Sequence, residues 1–205
     1  METIRAPLVE YGVARSVAPG QVESGDGYLI CENKEGVLIA TVDGIGHGVE
    51  AANAAKAANA ILEKGADEPI ISLVERCDDE LRSTRGVVMS IASIDESRGM
   101  MTWLGVGNVQ GALMRAGARK GTVQEELLLR GGVVGSRLPP LQAAVLPIGP
   151  GDTLVFATDG VRGDFAESLS ALESPQRAAD RILKNYSSGN DDALVLVVRL
   201  TGHRP

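Results

Sequence analysis

Hydrophobic residues along this chain recur mostly in short runs that are separated by turn signals. Such runs, rich in Val, Ile and Leu and bounded by Gly, Pro, Asp or Ser, predict β-strands. The predicted strands are Leu8–Ala18, Tyr28–Asn33, Val37–Val42, Val87–Asp95, Met100–Gly105, Gly111–Arg115, Glu125–Leu129, Leu141–Pro147, Thr153–Thr158 and Ala193–Leu200. Because consecutive strands are joined by short connections, we expect antiparallel pairing.

Longer segments carry apolar residues at helical spacing. We predict helices over Val49–Lys64, Pro69–Ser83 and Pro175–Tyr186. The first has an alanine-rich face, which allows close packing, and ends at Gly65, a residue type favoured directly after a helix. The third follows Ser174, a preferred N-cap residue. The second has one apolar stripe, formed by Ile70, Val74, Cys77 and Leu81.

The mixture of many strands and a few one-faced helices predicts the fold class. Sheets that pack on each other with helices outside give an α+β layered domain. The 205 residues are enough for one such domain. Because no Pro/Gly/Ser-rich linker interrupts the chain, we expect a single domain over residues 1–205.

Charge and hydropathy then narrow the class of protein. The formal net charge is −7, whereas a nucleic-acid-binding face needs basic residues that displace counterions, so we expect no nucleic-acid partner. The basic cluster Arg115, Arg119 and Lys120 is interpreted as a solvated turn. No apolar run approaches the ~20 residues that span a bilayer, and the N-terminus lacks a signal-peptide pattern. We therefore expect no membrane association.

The two cysteines indicate a compartment rather than a metal site. Cys31 lies in a predicted strand and Cys77 on the apolar stripe of a predicted helix, and their spacing matches no metal motif. We interpret both as buried thiols in a reducing environment, which predicts a cytoplasmic protein.

Acidic residues follow or precede the strongest predicted strands. "VLIATVDG" (Val37–Gly44) and "TLVFATDG" (Thr153–Gly160) share an apolar run, a Thr and a final Asp-Gly. The strand Ala193–Leu200 is preceded by "NDD" (Asn190–Asp192). One Asp-Gly pair alone is typical of a turn. Two similar corners and a third acidic strand end predict a shared site instead.

The glycine-rich corner after Asp43 offers a different chemistry, in which backbone amides cradle a phosphate. Gly44, Gly46 and Gly48 stand between a strand and a helix, but the G-x-G-x-x-G pattern would require glycine where Val49 stands. The sequence contains no G-x-x-x-x-G-K-[ST] motif. An acid directly before the loop would also repel phosphate unless a cation intervened.

Covalent catalysis has little support in the sequence. Neither cysteine has an arginine six residues later, as a thiolate phosphate loop would need, and no serine lies in G-x-S-x-G. His47 and His203 are the only histidines. His203 belongs to the C-terminal tail, so a catalytic triad would have to use His47, which lies in the glycine loop.

After the phosphate loop and covalent catalysis, the remaining candidate chemistry is metal-assisted catalysis. Asp26, Asp43, Asp159 and Asp191 offer only oxygen ligands, which suit Mg²⁺ or Mn²⁺ and not zinc. Carboxylates crowded together raise one another's pKa, and two divalent ions would cancel their charge. A pair of such ions ~3.5–4 Å apart can activate a bridging water for attack on phosphorus.

These motifs identify the chain as similar to the metal-dependent protein phosphatase 2C (PPM) superfamily, in its bacterial SpoIIE-like branch. The resemblance covers nearly the whole chain, and the order of the motifs makes it specific. They are "SGD" (Ser24–Asp26), "VDGIGHG" (Val42–Gly48), "RGVVMSIASID" (Arg85–Asp95), "GVGNV" (Gly105–Val109), "ATDG" (Ala157–Gly160) and "NDDALVLVV" (Asn190–Val198). The absence of a sensor domain is typical of the small stand-alone serine phosphatases of this branch.

The resemblance implies a PP2C-like α-β-β-α sandwich of two antiparallel sheets and a two-ion Mn²⁺ or Mg²⁺ site. Asp43 would bridge both ions, Asp26 and the carbonyl of Gly44 would complete one, and Asp159 and Asp191 would hold the other. Asp192 would orient a bound water or support the ligands.

It also implies a reaction and its partners. The substrates would be phosphoserine or phosphothreonine on STAS-domain proteins, either stressosome scaffolds or anti-sigma antagonists, attacked by a water that bridges the ions. We expect a monomer.

Three departures from the family pattern keep alternatives open. Leu194 replaces the Thr of Asp-Asp-x-Thr, so the chain could be a phosphoprotein-binding module with weak turnover. Ile45 stands where eukaryotic relatives have a histidine, so His47 is either a substrate contact or a loop-ordering residue. The eukaryotic phosphate-binding arginine has only Arg15 and Arg85 as candidates, and each is more simply a charged sheet-edge residue. A nucleotide-binding protein is a further alternative.

Overall fold

The computed structural model describes residues 8–117, 125–170 and 173–202. The strands in these ranges are β1 (Val9–Ser16), β2 (Asp26–Glu32), β3 (Gly36–Gly44), β4 (Val87–Asp95), β5 (Met100–Val106), β6 (Gln110–Met114), β7 (Glu125–Glu126), β8 (Ala144–Pro147), β9 (Thr153–Ala157) and β10 (Ala193–Leu200). The helices are α1 (Val49–Lys64), α2 (Ile70–Leu81), α3 (Pro175–Tyr186) and a 3₁₀ helix at Gly163–Ser168.

The strands form two five-stranded sheets. Sheet I has the order β1-β10-β9-β6-β7, and sheet II has the order β2-β3-β4-β5-β8. Every pair of neighbouring strands is antiparallel. This confirms the pairing that the short connections predicted.

The two sheets pack face to face with helices on both outer surfaces. Ile39 of sheet II and Phe156 of sheet I belong to the apolar cluster between the sheets. Helices α1 and α2 cover the outer face of sheet II, where Leu38 of β3 and Leu62 of α1 share a second cluster. Helix α3 covers sheet I through residues such as Ile182. The α-β-β-α layering confirms the predicted α+β class.

The helices follow the predicted patterns, with small differences at their ends. Buried alanines line the inner face of α1, as expected. Helix α2 begins at Ile70 because Pro69 occupies the N-cap, where its extended backbone precedes the first helical residue. Ser174 holds the N-cap of α3, but its hydroxyl makes no capping hydrogen bond. All four residues of the predicted α2 stripe are buried.

Four strands are shorter than predicted. Strands β1 and β9 end two residues and one residue early, while β7 and β8 are shortened for one physical reason. The backbone of Arg130 accepts from Gly107 N and donates to Gly105 O, so it occupies the edge of β5 beyond Trp103. The segment after β7 therefore leaves sheet I and crosses to sheet II. Strand β8 can pair with β5 only from Ala144, whose partner is Trp103.

Two interpretations of single residues need correction. Cys31 is only half-buried, whereas Cys77 is fully buried, and burial raises the pKa of its thiol to about 12. Arg115 is not solvated, because it pairs with Glu125 and, at 3.0 Å, with Asp152. The predicted turn residues 119 and 120, and residue 203, lie outside the described residues.

One edge of the sandwich collects four strand ends. Strand β2 begins there at Asp26 and β3 ends at Gly44, while in sheet I β9 ends at Ala157 and β10 begins at Ala193. Because both strand pairs are antiparallel, the acidic residues at these ends face the same edge. Among the described residues, no helix is long and apolar enough to cross a membrane.

Candidate metal centre

Asp26 and Asp43 stand directly opposite each other on β2 and β3. Opposed side chains of an antiparallel pair lie on the same face, with Cβ atoms ~4.5–5.5 Å apart. This face is the one between the sheets, because Ile30 and Ile39, four residues inward on each strand, pack in the inter-sheet core. Asp26 is buried and Asp43 partly buried.

Sheet I supplies the remaining carboxylates. Asp159 follows β9 and Asp191 precedes β10, and both are exposed. They meet Asp26 and Asp43 across a cleft of about 500 Å³. The cleft is lined by Asp26, Asp43, Ile45, Gly46, His47, Val88, Gly107, Asn108, Gly131, Gly132, Asp159, Asp191 and Asp192. The structure thus brings together all four predicted carboxylates.

The two Asp-Gly corners differ in conformation and share a steric requirement. Gly44 is the last residue of β3, whereas Gly160 lies in a turn in which Val161 N donates to Thr158 O at 3.0 Å. A Cβ on Gly44 would lie 2.1 Å from the carbonyl oxygen of Ala51, and one on Gly160 would lie 2.0 Å from that of Asp192. Glycine is therefore needed at both corners for close backbone approach, and not for a positive φ.

The glycine loop after Gly44 leads directly into α1. Gly46 and Gly48 have φ values of 96° and 74°, which favour glycine, and Gly48 is the N-cap residue of α1. The positive end of the helix therefore lies beside the cleft. His47 is exposed on the cleft wall and forms no hydrogen bond with the part of the chain that the structure describes.

The two candidate phosphate-binding arginines lie outside the cleft lining. Arg15 is exposed on β1, an edge strand of sheet I, as the simpler interpretation expected. Arg85 precedes β4, forms an ion pair with Glu50 and covers Gly46, where a Cβ would lie 2.6 Å from its Nη1.

Asp192 lines the cleft, but its carboxylate is engaged by backbone amides. Its Oδ1 accepts from Ala18 N at 2.8 Å, and its Oδ2 accepts from Gly25 N at 2.7 Å. Both carboxylate oxygens are engaged, so the side chain ties the start of β10 to the residue before Asp26. This arrangement favours support of the ligands over orientation of a bound water.

Two residues of the site were not predicted. The Nδ2 of Asn108 donates to Asp159 Oδ2 at 2.8 Å, and the hydroxyl of Thr158 donates to Asp26 Oδ2 at 2.8 Å. Both lie inside sequence motifs, "GVGNV" and "ATDG", so a polar residue next to the site was visible. Which acid each one meets depends on chain segments far apart in sequence.

The crowded carboxylates of the cleft favour the binding of a cation. Burial, followed by the repulsion of neighbouring carboxylates with that of Asp26 first, raises the pKa of Asp43 to about 8. Burial likewise raises the pKa of Asp26 to about 7, against the hydrogen bond from Thr158, which lowers it. The nearby carboxylates that raise the pKa of Asp26 are those of Asp192, Asp159 and Asp191.

The donor set fits Mg²⁺ or Mn²⁺. Asp26 Oδ1 is buried and has no hydrogen-bond partner among the described residues, so it is an oxygen available to a cation. Yet no group of three or more His, Cys, Asp or Glu side chains in those residues is arranged to hold an ion as it stands. Mg²⁺ commonly takes only one or two carboxylates and keeps several waters.

A protein-family comparison places this site in context. Residues 33–201 match the family model of stage II sporulation protein E (SpoIIE). The chain belongs to the SpoIIE family. This membership confirms the resemblance that the ordered motifs indicated. The matched range includes Asp43, Asp159 and Asp191, whereas Asp26 lies before it.

Individual relatives agree with the SpoIIE assignment. The chain is 30% identical over 91 residues to phosphoserine phosphatase RsbX of Bacillus subtilis (strain 168), and this alignment covers 44% of the chain and about half of RsbX, 46%. A protein solved in work on the bacterial stressosome as a modular system superposes with a TM-score of 0.83 and 27% identity, covering 93% of this chain and 99% of that one.

A crystal structure of RsbX with magnesium superposes with a TM-score of 0.81 and 22% identity, covering 98% of each chain. At that identity the likeness concerns the fold alone. The two superpositions confirm the PP2C-like α-β-β-α architecture that the resemblance implied.

Proposed function

We propose that this chain is a metal-dependent protein phosphatase that hydrolyses phosphoserine or phosphothreonine on other proteins. The observation that carries the proposal is the opposed pair Asp26 and Asp43, one of whose buried oxygens has no partner among the described residues. Asp159 and Asp191 face this pair across the same cleft. Membership of the SpoIIE family and similarity to a phosphoserine phosphatase support the same activity.

In this proposal the cleft would take two Mn²⁺ or Mg²⁺ ions. Asp26, Asp43 and the carbonyl of Gly44 would hold one ion, while Asp43, Asp159 and Asp191 would hold the other. When bound, such ions polarise the phosphoryl oxygens and activate a water for in-line attack. The chain's own task is to fix these oxygens at the edge where the two sheets meet.

Several further features of the cleft suit a phosphorylated side chain. The cleft of about 500 Å³ is open to solvent on the side of Asp159 and Asp191, so a phosphoserine can enter from a protein surface. The positive end of α1, which begins at Val49, lies beside it and favours an anion. The exposed His47 lines the same cleft.

The protein substrates we propose are phosphorylated STAS-domain proteins of a stressosome or anti-sigma-antagonist type. Similarity to RsbX and to a protein solved in stressosome work supports this choice. We propose that the chain acts as a single-domain monomer over residues 1–205.

The alternative of a binding module with weak turnover rested on Leu194. The side chain of Leu194 is fully buried in the inter-sheet core, and only its backbone N–H reaches the site, through Thr158. The cleft lining does not include residue 194. The departure from the family pattern therefore removes no group from the cleft, which weakens the alternative.

The decisive experiment measures phosphate release from p-nitrophenyl phosphate and from a phosphoserine STAS protein, with and without Mn²⁺. We expect Mn²⁺-dependent release that Asp43→Asn reduces by at least two orders of magnitude. Asp164→Asn, which changes an exposed carboxylate paired with Arg162, is the matched control and should leave the rate unchanged. Full activity of Asp43→Asn, or release without any divalent ion, contradicts the proposal. Tight phosphoprotein binding without release would favour the binding module.

A further inference from the structure

Thr158 joins the two sheets through Asp26, which lines the cleft. Its hydroxyl donates to Asp26 Oδ2 at 2.8 Å, and its oxygen accepts from Leu194 N at 2.9 Å. The residue has no exposed surface. Thr158 directly follows β9 of sheet I, whereas Asp26 begins β2 of sheet II, so this contact crosses the interface between the sheets.

The two hydrogen bonds give the hydroxyl a fixed direction. A threonine hydroxyl has one proton to donate and lone pairs to accept with. Because the amide of Leu194 points at the oxygen, the proton is left for Asp26 Oδ2. No water is needed to complete the hydroxyl's hydrogen bonding, since donor and acceptor roles are both filled by protein groups. A buried hydroxyl in this state holds its partner in one orientation.

The hydrogen bond from Thr158 also determines the position of Oδ1, the second carboxylate oxygen of Asp26. With Oδ2 held by Thr158, Oδ1 is buried without a hydrogen-bond partner among the described residues, in a side chain that lines the cleft. The backbone is held as well, because Gly25 N donates to Asp192 and Asp26 N donates to Ser24 Oγ at 3.1 Å. The carboxylate is therefore oriented before any cation arrives.

We propose that Thr158 is a positioning residue that holds Asp26 so that its Oδ1 faces the cation site. The proposal rests on the proposed metal-dependent function and adds a residue to it. Groups behind metal ligands commonly change metal affinity 10–100-fold when they are removed. A merely structural role would lower the stability of the ion-free protein and leave the affinity for Mn²⁺ unchanged.

The test compares Mn²⁺ binding by Thr158→Val, Thr158→Ser and the wild type, measured by titration calorimetry without substrate. Valine keeps the shape and removes the hydroxyl, whereas serine keeps the hydroxyl. Thr153→Val, at the other end of the same strand, is the matched control because its hydroxyl hydrogen-bonds, within the described ranges, to Gly151 and Arg199 and not to an acid of the cleft. Should the valine variant not fold, Thr158→Ala removes the hydroxyl without adding bulk.

We expect the hydroxyl-free variants to bind Mn²⁺ about 10–100-fold more weakly, and the serine and Thr153→Val variants to bind within threefold of the wild type. Unchanged affinity in Thr158→Val, or an equal loss in Thr158→Ser, overturns the positioning role alone. A wild type that binds no Mn²⁺ overturns both this role and the proposed function. Melting temperatures in EDTA separate loss of stability from loss of affinity.

Discussion

Asp26 and Asp43 oppose each other on neighbouring antiparallel strands, and burial raises the pKa of both well above the ordinary range of aspartate. In the unfolded chain each carboxyl titrates near its usual value of 3.8. The ion-free fold therefore holds protons on these residues more tightly than the unfolded chain does. This difference links the stability of the fold to pH and to divalent ions.

The first prediction concerns the stability of the ion-free protein against pH. A raised pKa in the folded state gives a contribution that is full below about pH 4 and is lost as pH rises to the folded values of about 7 and 8. We expect the melting temperature in EDTA to fall between pH 5 and pH 8.5. Millimolar Mn²⁺ should reverse most of the fall at the upper end, because it binds only the folded state.

The control for this prediction is the double variant Asp26→Asn and Asp43→Asn. It removes the two carboxyl groups with raised pKa values and leaves every other titratable group in place. Its melting temperature should therefore vary less over the same pH range. Parallel curves for the variant and the wild type would show that other groups set the pH dependence.

The second prediction separates two adjacent acids. Asp192 is buried with both oxygens bound to backbone amides, whereas Asp191 is exposed. An asparagine at 192 has one acceptor oxygen and leaves one buried amide unsatisfied, so Asp192→Asn should cost about 1–3 kcal/mol of unfolding free energy. Asp191→Asn should change stability by less than about 0.5 kcal/mol. Urea unfolding in EDTA measures both, and equal losses would contradict the assigned difference.

The third prediction tests the close backbone contacts at the two corners. Gly44→Ala and Gly160→Ala each place a methyl group near 2 Å from a backbone carbonyl oxygen, which forces the strand ends apart. Overpacking of this kind costs about 1–3 kcal/mol, and both variants should also bind Mn²⁺ more weakly. Gly149→Ala is the control, because a Cβ there would meet no atom of the described residues within 4 Å. Thermal unfolding and Mn²⁺ titration check these expectations.

Much of the fold could be predicted because local pattern and tertiary packing agree. The alanine face of α1 and the apolar runs of β4 and β10 have the same bounds in sequence and structure. The shortened β7 and β8 could not be predicted, because the backbone of Arg130 competes for the edge of β5. That competition depends on the path of the chain between the sheets, which leaves no local signal.

In the site, too, some features had a local sequence signal and could be predicted, whereas others had none. Two acidic strand ends of similar sequence were enough to predict that Asp43 and Asp159 meet. The similarity did not extend to the threonines of the two motifs. Thr158 is fully hydrogen-bonded between the sheets, whereas the Oγ1 of Thr41 is buried without a partner among the described residues. Thr41 is two residues from its acid and Thr158 only one, so the two hydroxyls point into different surroundings.

The fourth prediction concerns Leu194, where the family pattern has threonine. Leu194→Thr restores the pattern, but it adds no hydroxyl to the cleft, because the side chain of residue 194 lies in the apolar core between the sheets. The amide of this residue already donates to Thr158, which supplies the hydrogen bond to Asp26. A threonine here loses apolar contacts and buries a hydroxyl, at a cost of about 2 kcal/mol or more.

We therefore expect Leu194→Thr to be less stable in urea and no faster in Mn²⁺-dependent release from p-nitrophenyl phosphate. Leu196→Thr, one step further along the same face of β10, is the matched control and should lose similar stability. A several-fold gain in turnover without loss of stability would mean that residue 194 acts on the site through its side chain. In that case the weak-turnover alternative would regain its support, because the native leucine would then be the residue that limits catalysis.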